Sequence, residues 1–373
     1  MRPGHWSAGG CLVILLFVWL PPARPGAAPG LPRQIDDAQF RRLIADFSEP
    51  GGFFRSDNLV SNEDTYPSVL PELVATVTPG GAYFGVGPDQ NFTYIAALDP
   101  AVAFITDIRR GNLHLHLLYK ALFEISGDRA DFLSRLFSRP RPPGLDASST
   151  VDELFAAVAR QSPSDALHAA TRTAVIERLT RARGLPLTAA DADGIASVLE
   201  AFHAAGPEIA YSNTMSARGR YPTFRDLQVA RDAAGRPRSY LASEASFRRV
   251  QSLQQRNLVV PLVGDFAGPR ALRAAGAWVR AAGGTVSAFY TSNVEQYLFQ
   301  DGLWDRFADT VATLPLDASS TFIRSCFNNN CAAGTVSRSS VLLDPIARLL
   351  KEAEAGRITS YADVLAYRPP VGR

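Results

Sequence analysis

A glycine turn and a later aspartate stand at the spacing that a nucleotide-type ligand requires. The turn is Gly85-Val86-Gly87-Pro88-Asp89-Gln90-Asn91, and Asp107 ends the next apolar run, about twenty residues further on. Glycines let the backbone approach a ligand, and the carboxylate can accept hydrogen bonds from ribose hydroxyl groups. The alternative is a turn that binds nothing, because the third glycine of the dinucleotide motif is missing and such turns occur in many sheets.

Three further apolar runs indicate strands, and two of them lead into polar residues. Residues 258–263 are followed by Gly264-Asp265, residues 285–290 lead into Ser292-Asn293-Val294-Glu295, and residues 321–327 follow another helical stretch. Strands that alternate with helices at this spacing form a parallel sheet with right-handed crossovers. The ends of such strands share one edge, so we expect the glycine turn, Asp107, Asp265 and residues 292–295 to converge there.

Helical patterns precede and separate these strands. Periodicity predicts helices at 36–48, 62–75 and 113–125, and residues 138–245 are predicted to form a helical insertion between strands. His114 and His116 lie two positions apart on one helix and so face different sides, which argues against a joint metal site. The sequence therefore predicts an α/β protein, a Rossmann-like three-layer sandwich around a parallel sheet, as a single domain over 29–373.

The N-terminus has the features of a secretory signal peptide. Arg2 precedes an apolar run at 11–20, and small residues follow up to Ala28. The run is short for a membrane span, so we predict cleavage near Ala28, giving a periplasmic or extracellular protein without a span after cleavage. An uncleaved membrane anchor is the alternative.

Composition narrows the classes of partner. The 38 Lys and Arg residues and the 36 Asp and Glu residues are spread along the chain, which argues against a nucleic-acid surface. Cys326 and Cys331 are the cysteines that remain after signal removal, and an exported pair this close favours a disulfide over a metal or redox site. The predicted partner is a small-molecule ligand, with no metal.

With these strand ends, the chain resembles the class I S-adenosylmethionine-dependent methyltransferase fold. The Gly-Val-Gly-x-Asp-Gln-Asn turn is also similar to that of an uncharacterised family of exported bacterial proteins. The resemblance covers roughly 80–127 and 257–327, and it implies S-adenosylmethionine as the cofactor. In that superfamily the first turn surrounds the methionine part, the acid after the second strand holds the ribose and the acid after the third contacts adenine. The corresponding residues here are Gly85, Gly87 and Asp89 with the neighbouring Gln90 and Asn91, then Asp107, then Asp265.

The resemblance also assigns the catalytic positions. The turn after the fourth strand faces the methyl acceptor in that superfamily, which implies catalytic roles for Asn293 and Glu295. Two departures stand against it. Aromatic Tyr83 and Phe84 replace the acidic residue usual before the first glycine, and no hairpin of late strands can be traced after residue 331.

Two classes of function follow from these observations. One is a methyltransferase-like enzyme of the bacterial cell envelope, in which Asn293 and Glu295 orient the nucleophile of an unidentified acceptor. The other is a catalytically inactive Rossmann-like protein that binds a nucleotide-like or small polar ligand. Asp265 and Asn293 also have a structural explanation as helix caps, and Glu295 has one as a first-turn charge. The missing third glycine disfavours a nicotinamide oxidoreductase, and the lack of a Gly-x-Ser-x-Gly motif disfavours a serine hydrolase.

Overall fold

A six-stranded, mostly parallel sheet forms the centre of the protein, whose computed structural model describes residues 1, 30–211, 221–327, 331 and 339–366. The sheet order is β3-β2-β1-β4-β5-β6, with β6 antiparallel to β5 and the other neighbours parallel. Chain order reverses between β1 and β4, which is where open α/β sheets bind ligands. The strands are β1 (Ala82–Gly85), β2 (Val102–Asp107), β3 (Val259–Val263), β4 (Val286–Ser292), β5 (Thr321–Phe327) and β6 (Ser339–Pro345).

Helices cover the sheet on both faces. Their bounds within the described residues are α1 (Asp37–Phe47), α2 (Leu70–Thr76), α3 (Gln90–Leu98), α4 (Arg110–Ile125), α5 (Arg129–Leu136), α6 (Val151–Ala159), α7 (Asp165–Glu177), α8 (Ala189–Ala205), α9 (Phe224–Val229), α10 (Glu244–Gln255), α11 (Ala271–Ala281), α12 (Val294–Gln300), α13 (Trp304–Ala312), α14 (Ile346–Glu354) and α15 (Tyr361–Leu365).

The core lies on both sides of the sheet, because successive side chains of a strand point to opposite faces. All four residues of β1 are buried. The ring of Tyr83 lies 6.5 Å from that of Tyr94 in α3, whereas Phe84 packs at 5.6 Å against Phe104 and at 5.7 Å against Phe289. The mixed α/β architecture and the mainly parallel sheet match the prediction and are compatible with a Rossmann-like sandwich.

The predicted insertion, 138–245, falls in a long run of helices between two paired strands. Helices α4–α10 all lie between β2 and β3 in the chain, yet residues 103–107 of β2 pair directly with β3. Helix α4 packs against both of these strands, and α7, α8 and α10 pack against α4. The added helices therefore extend the layer that α4 begins.

Two predictions about local structure were wrong. The helix predicted at 62–75 begins only at Tyr66, as a 3₁₀ turn (Tyr66–Val69) that leads into α2. Pro67 and Pro71 explain this, because proline is tolerated in the first turn of a helix and not further inside, so the polar residues 61–64 remain outside the helix. The second error is β6, an antiparallel late strand after residue 331 that the sequence did not reveal.

Cys326 and Cys331 lie at disulfide-bonding distance, with Cα atoms 5.3 Å apart. This agrees with the predicted pairing at the end of β5. In the part of the chain that the structure describes, no helix is both long and apolar enough to cross a membrane. The predicted signal peptide lies outside the described residues, except for Met1.

Candidate functional site

A cavity of about 890 Å³ opens at the carboxyl ends of the parallel strands. Gly87 follows β1, Asp107 ends β2, Asp265 follows β3 and Asn293 follows β4, and all four residues line it. Ligand pockets have volumes of about 300–1,000 Å³ and favour the point where strand order reverses. The strand ends that were predicted to converge at one edge therefore contribute residues to one cavity.

The side chain of Asn91 determines the shape of the turn after β1. Its Nδ2 atom lies 2.7–3.3 Å from the carbonyl oxygens of residues 86–88, and its Oδ1 atom accepts a 2.9 Å hydrogen bond from Tyr83. A Cβ atom on Gly85 would lie 2.0 Å from Asn91 Oδ1. Gly85 and Asn91 therefore shape the turn, and residues 86–88 form the cavity wall.

Gly87 presents bare backbone to the cavity. Its φ angle is +76°, and a Cβ atom there would meet no described protein atom within 4 Å. Its carbonyl oxygen accepts a 2.8 Å hydrogen bond from Nε2 of His116. Burial lowers the pKa of His116 to about 4, so the ring is neutral and Nε2 carries the donated proton. The space beside Gly87 is open to a ligand.

Asp107 lines the cavity within an ion pair that the sequence analysis missed. Its Oδ1 atom accepts 2.9 Å hydrogen bonds from the backbone N–H and Nε of Arg109, and its Oδ2 atom accepts one of 2.6 Å from Nη2. A carboxylate oxygen has two acceptor positions, so Oδ2 retains one for a ligand. Arg109 also donates to the carbonyl groups of residues 56 and 57, which ties β2 to the outer wall.

Asp265 is half-buried, and it is not the cap of the following helix. Its Oδ1 atom accepts a 2.9 Å hydrogen bond from the backbone of Ala267. Helix α11 begins at Ala271, and Oε1 of Glu49 accepts 2.8 Å hydrogen bonds from the backbone N–H groups of Arg270 and Ala271. Glu49 therefore satisfies the start of α11, and Asp265 is left as a residue of the cavity lining.

Two other residues of the predicted cofactor turn point into the protein. The carboxylate of Asp89 is 1% exposed and accepts hydrogen bonds of 2.8 Å from Gln228 and 3.2 Å from Tyr240, both in the helical region. Burial raises its pKa to about 7, although these two donors oppose the shift. Gln90 donates a 2.7 Å hydrogen bond to Glu63. Both side chains support the site from behind the lining residues.

The two predicted catalytic residues lie in different surroundings. Asn293 lines the cavity and immediately precedes α12. Glu295 is fully buried and accepts hydrogen bonds of 2.8 and 2.9 Å from Nε of Arg324 in β5, which also pairs with Asp344 in β6. Burial raises the pKa of Glu295, and Arg324 opposes that shift. Glu295 thus joins α12 to the sheet, while Asn293 alone of the pair faces the cavity.

Glu63 is a cavity residue that sequence reasoning missed. Its side chain accepts hydrogen bonds of 2.7 Å from Tyr290 and 2.5 Å from Ser292, both in β4, besides the one from Gln90. Ser292 has a φ of +52°, which is unusual for a residue other than glycine. The polar run at 61–64, shortly before Pro67, was the available signal, because a helix interior does not accommodate proline and the polar segment therefore lies outside the helix.

Aromatic rings and guanidinium groups form the outer wall. Phe54 and Tyr297 meet edge to face at 5.1 Å, and Arg109 and Arg55 lie 5.9 and 6.0 Å from the centres of the Phe54 and Tyr297 rings respectively. The described lining as a whole contains five carboxylates and two guanidinium groups. The carboxylates belong to Glu63, Asp64, Asp107, Asp265 and Asp301. The part of the lining that the structure describes therefore has more acidic than basic side chains.

Comparison with known proteins places the chain in a family. A family model described as a domain of unknown function (DUF7790) matches residues 59–342, about three quarters of the sequence. The chain therefore belongs to this family. The matched region includes β1–β5 and the lining residues Glu63, Gly87, Asp107, Asp265 and Asn293. No curated protein matches the sequence.

Proposed function

We propose that this protein binds an adenosine-containing ligand of the S-adenosylmethionine type in the cavity at the carboxyl ends of the strands, as a methyltransferase-like protein. The observation that carries the proposal is the meeting of Gly87, Asp107, Asp265 and Asn293 at one cavity where strand order reverses. These residues come from the ends of four different strands, and they match the positions that the methyltransferase resemblance assigns.

Sheet topology supports the same proposal. The five parallel strands in the order β3-β2-β1-β4-β5 resemble the class I methyltransferase sheet, and β6 supplies an antiparallel late strand beside β5. A missing late strand was one of the two departures from the resemblance, and β6 reduces that difficulty. The other departure is an aromatic residue where an acid is usual before Gly85. Glu63 supplies an acidic residue to the same cavity from another part of the chain.

The lining residues fit such a ligand in three respects. Gly87 leaves open space where a side chain would project. Asp107 Oδ2 has one acceptor position left for a ribose hydroxyl, and the second oxygen of Asp265 is available to an amino group of adenine. The excess of acidic side chains in the described lining favours a ligand that carries a sulfonium and an ammonium group, and it disfavours the phosphates of NAD or ATP.

In this proposal the chain supplies binding and orientation. S-adenosylmethionine, when bound, would provide an electrophilic methyl group. Asp107 and Asp265 would fix the adenosine, and Asn293 would orient the acceptor at the end of β4. Glu295 would act as a positioning residue, because its ion pair with Arg324 holds the first turn of α12 against the sheet. Holding two reactants in line accounts for much of the acceleration in such reactions.

One observation favours the alternative of a binding protein without catalysis. Of the two predicted catalytic side chains, only Asn293 lies in the cavity, whereas Glu295 is committed to a buried ion pair. A protein that retains the ligand site and lacks transfer activity would have this arrangement. Methyl transfer to candidate acceptors, measured with labelled S-adenosylmethionine, separates the two functions once binding is established. We also propose that the protein is exported, on the evidence of its N-terminal sequence.

Calorimetry tests the binding proposal. We expect S-adenosylmethionine and S-adenosylhomocysteine to bind and NAD to bind much more weakly. Asp107→Asn should weaken binding about tenfold to a hundredfold, through loss of a charge-assisted hydrogen bond to ribose. Asp309→Asn, at an exposed position of α13, is the control and should bind as the wild type does.

A second variant guards against misfolding, because Asp107→Asn also weakens the ion pair with Arg109. Asp265→Asn keeps an oxygen that can accept from Ala267, so its fold should be retained. Thermal unfolding of each variant identifies a protein that has lost its structure. If the folded wild type gives no heat with any of the adenosine ligands at millimolar concentration, the proposal is wrong.

A further inference from the structure

Glu63, a residue of the cavity lining next to β4, is a buried acidic residue without a counter-ion among the described residues. Glu63 is 1% exposed, and its side-chain partners are the neutral groups of Gln90, Tyr290 and Ser292. In the described residues, no Lys, Arg or His side chain forms an ion pair with it. Buried charges in proteins are normally paired, because removing a charge from water costs free energy that neutral donors offset only in part.

Two buried phenols, Tyr290 and Tyr94, lie near Glu63. Burial, followed by the negative charge of Glu63, raises the pKa of Tyr290 and of Tyr94 well above the usual value. Both phenols therefore stay protonated. Tyr290 therefore donates its proton in the hydrogen bond to Glu63.

The backbone of β4 is bent where it meets Glu63. The pairing of β4 with β5 shifts register between Tyr290 and Ser292, and Ser292 adopts a φ of +52°. A left-handed conformation at a residue with a side chain costs free energy and tends to occur at functional sites. Here it accompanies the arrangement in which two hydroxyl groups of β4 reach the same carboxylate. The residue with the strained backbone, Ser292, is thus one of the two residues that donate to Glu63.

Aromatic rings also line the cavity. Tyr290, Tyr297 and Phe327 are all in its lining, together with the amide of Asn293. A carboxylate combined with aromatic rings suits a cationic ammonium group, which gains from the negative charge and from the ring electrons. A neutral hydroxyl group would gain less from both.

We infer that the second ligand of this cavity, the one that lies beside the adenosine ligand, is an amine whose ammonium group is bound by Glu63. The inference rests on the proposed function and deepens it, because it names the chemical class of the ligand bound beside the adenosine, with the ammonium group as the group that is recognised. Glu63 is then the residue that selects an amine over an alcohol or a thiol of similar shape.

A matched pair of probes tests this selection. Benzylamine and benzyl alcohol have the same skeleton and differ in the charged group, so their binding to the protein saturated with S-adenosylhomocysteine can be compared by calorimetry near neutral pH. We expect the wild type to prefer benzylamine by about tenfold or more. Glu63→Gln, which keeps the size of the side chain, should abolish the preference, and the exposed control Asp309→Asn should retain it.

Several outcomes would overturn the inference. Equal binding of the two probes, binding of neither at millimolar concentration, or an unchanged preference in a folded Glu63→Gln protein would each do so. The wild-type comparison needs no variant, so a misfolded Glu63→Gln protein leaves the test in place. A preference for benzylamine without any binding of S-adenosylhomocysteine would support Glu63 as an ammonium site and refute the adenosine proposal. Binding of S-adenosylhomocysteine without a preference for benzylamine would support the adenosine proposal and refute Glu63 as an ammonium site.

Discussion

Asp89 provides a sharp test of the electrostatics behind the glycine turn. Its carboxylate lies between Gln228 and Tyr240, so it connects the turn after β1 with the helical region. Burial raises the pKa of this carboxyl from its ordinary 3.8 to about 7. We predict that the variant Asp89→Asn, whose side chain has nearly the same shape and no charge, gains stability relative to the wild type as the pH rises.

The sign and size follow from the two pKa values. Between pH 3.8 and about 7 the native state binds the Asp89 proton and the unfolded chain does not, so the free energy of unfolding falls as pH rises. The contribution of protonated Asp89 is fully present below the unfolded value and is lost as pH rises through the native value. At about 1.4 kcal/mol per pKa unit, the loss is about 4 kcal/mol over the whole interval. About 2 to 3 kcal/mol of it falls between about pH 5 and pH 8.

Urea unfolding at these two pH values measures the effect. The quantity to compare is the difference in unfolding free energy between the wild type and Asp89→Asn, because other titrating groups then largely cancel. This difference should shift by about 2 to 3 kcal/mol in favour of the variant as pH rises from about 5 to 8. Asp309→Asn, at an exposed position, should show no such shift. A difference that is the same at both pH values would refute a raised native pKa at Asp89.

Two further predictions concern the turn and the N-terminus. Gly85→Ala should destabilise the protein by about 1 to 3 kcal/mol, because the new methyl group would lie 2.0 Å from Oδ1 of the buried Asn91. Gly111→Ala, where a Cβ atom meets nothing within 4 Å, is the control, and chemical unfolding that ranks the two alike would contradict the argument. Intact-mass measurement on the exported protein should find residues up to about Ala28 removed, whereas a full-length mass in the membrane fraction would indicate an anchor.

Most of the sheet could be predicted because buried parallel strands are continuous apolar runs between helices. The strand predicted at 321–327 coincides with β5, and the run at 258–263 differs from β3 by one residue. The antiparallel strand β6 was missed because several of its residues are half-buried, so its sequence lacks a continuous buried run. The start of α2 was misplaced because the apolar spacing continued across two prolines that a helix interior does not accommodate.

The cavity could be predicted in outline, because the carboxyl ends of parallel strands lie at one edge of the sheet, and this follows from topology and not from side-chain contacts. The partners of those side chains could not be predicted. Asp107 and Glu295 each lie in an ion pair, with Arg109 and Arg324 respectively, and only the second pair is remote from the cavity. Glu63 contacts β4 across more than two hundred residues of sequence, so the polar run at 61–64 could not show which residues it would meet.

Strands β2 and β3 are neighbours in the sheet, yet about 150 residues separate them in the chain. The entropy lost on closing so long a loop grows only with the logarithm of its length, so the cost in stability is modest. The rate of folding is affected more, because distant pairings form slowly.

During synthesis β2 emerges long before β3, and its unpaired edge is a template for association with other chains. Helix α4 packs on both strands and α10 leads directly into β3, so early assembly of these helices would deliver β3 to its place. Such early assembly would shorten the time for which the edge of β2 is unpaired during folding.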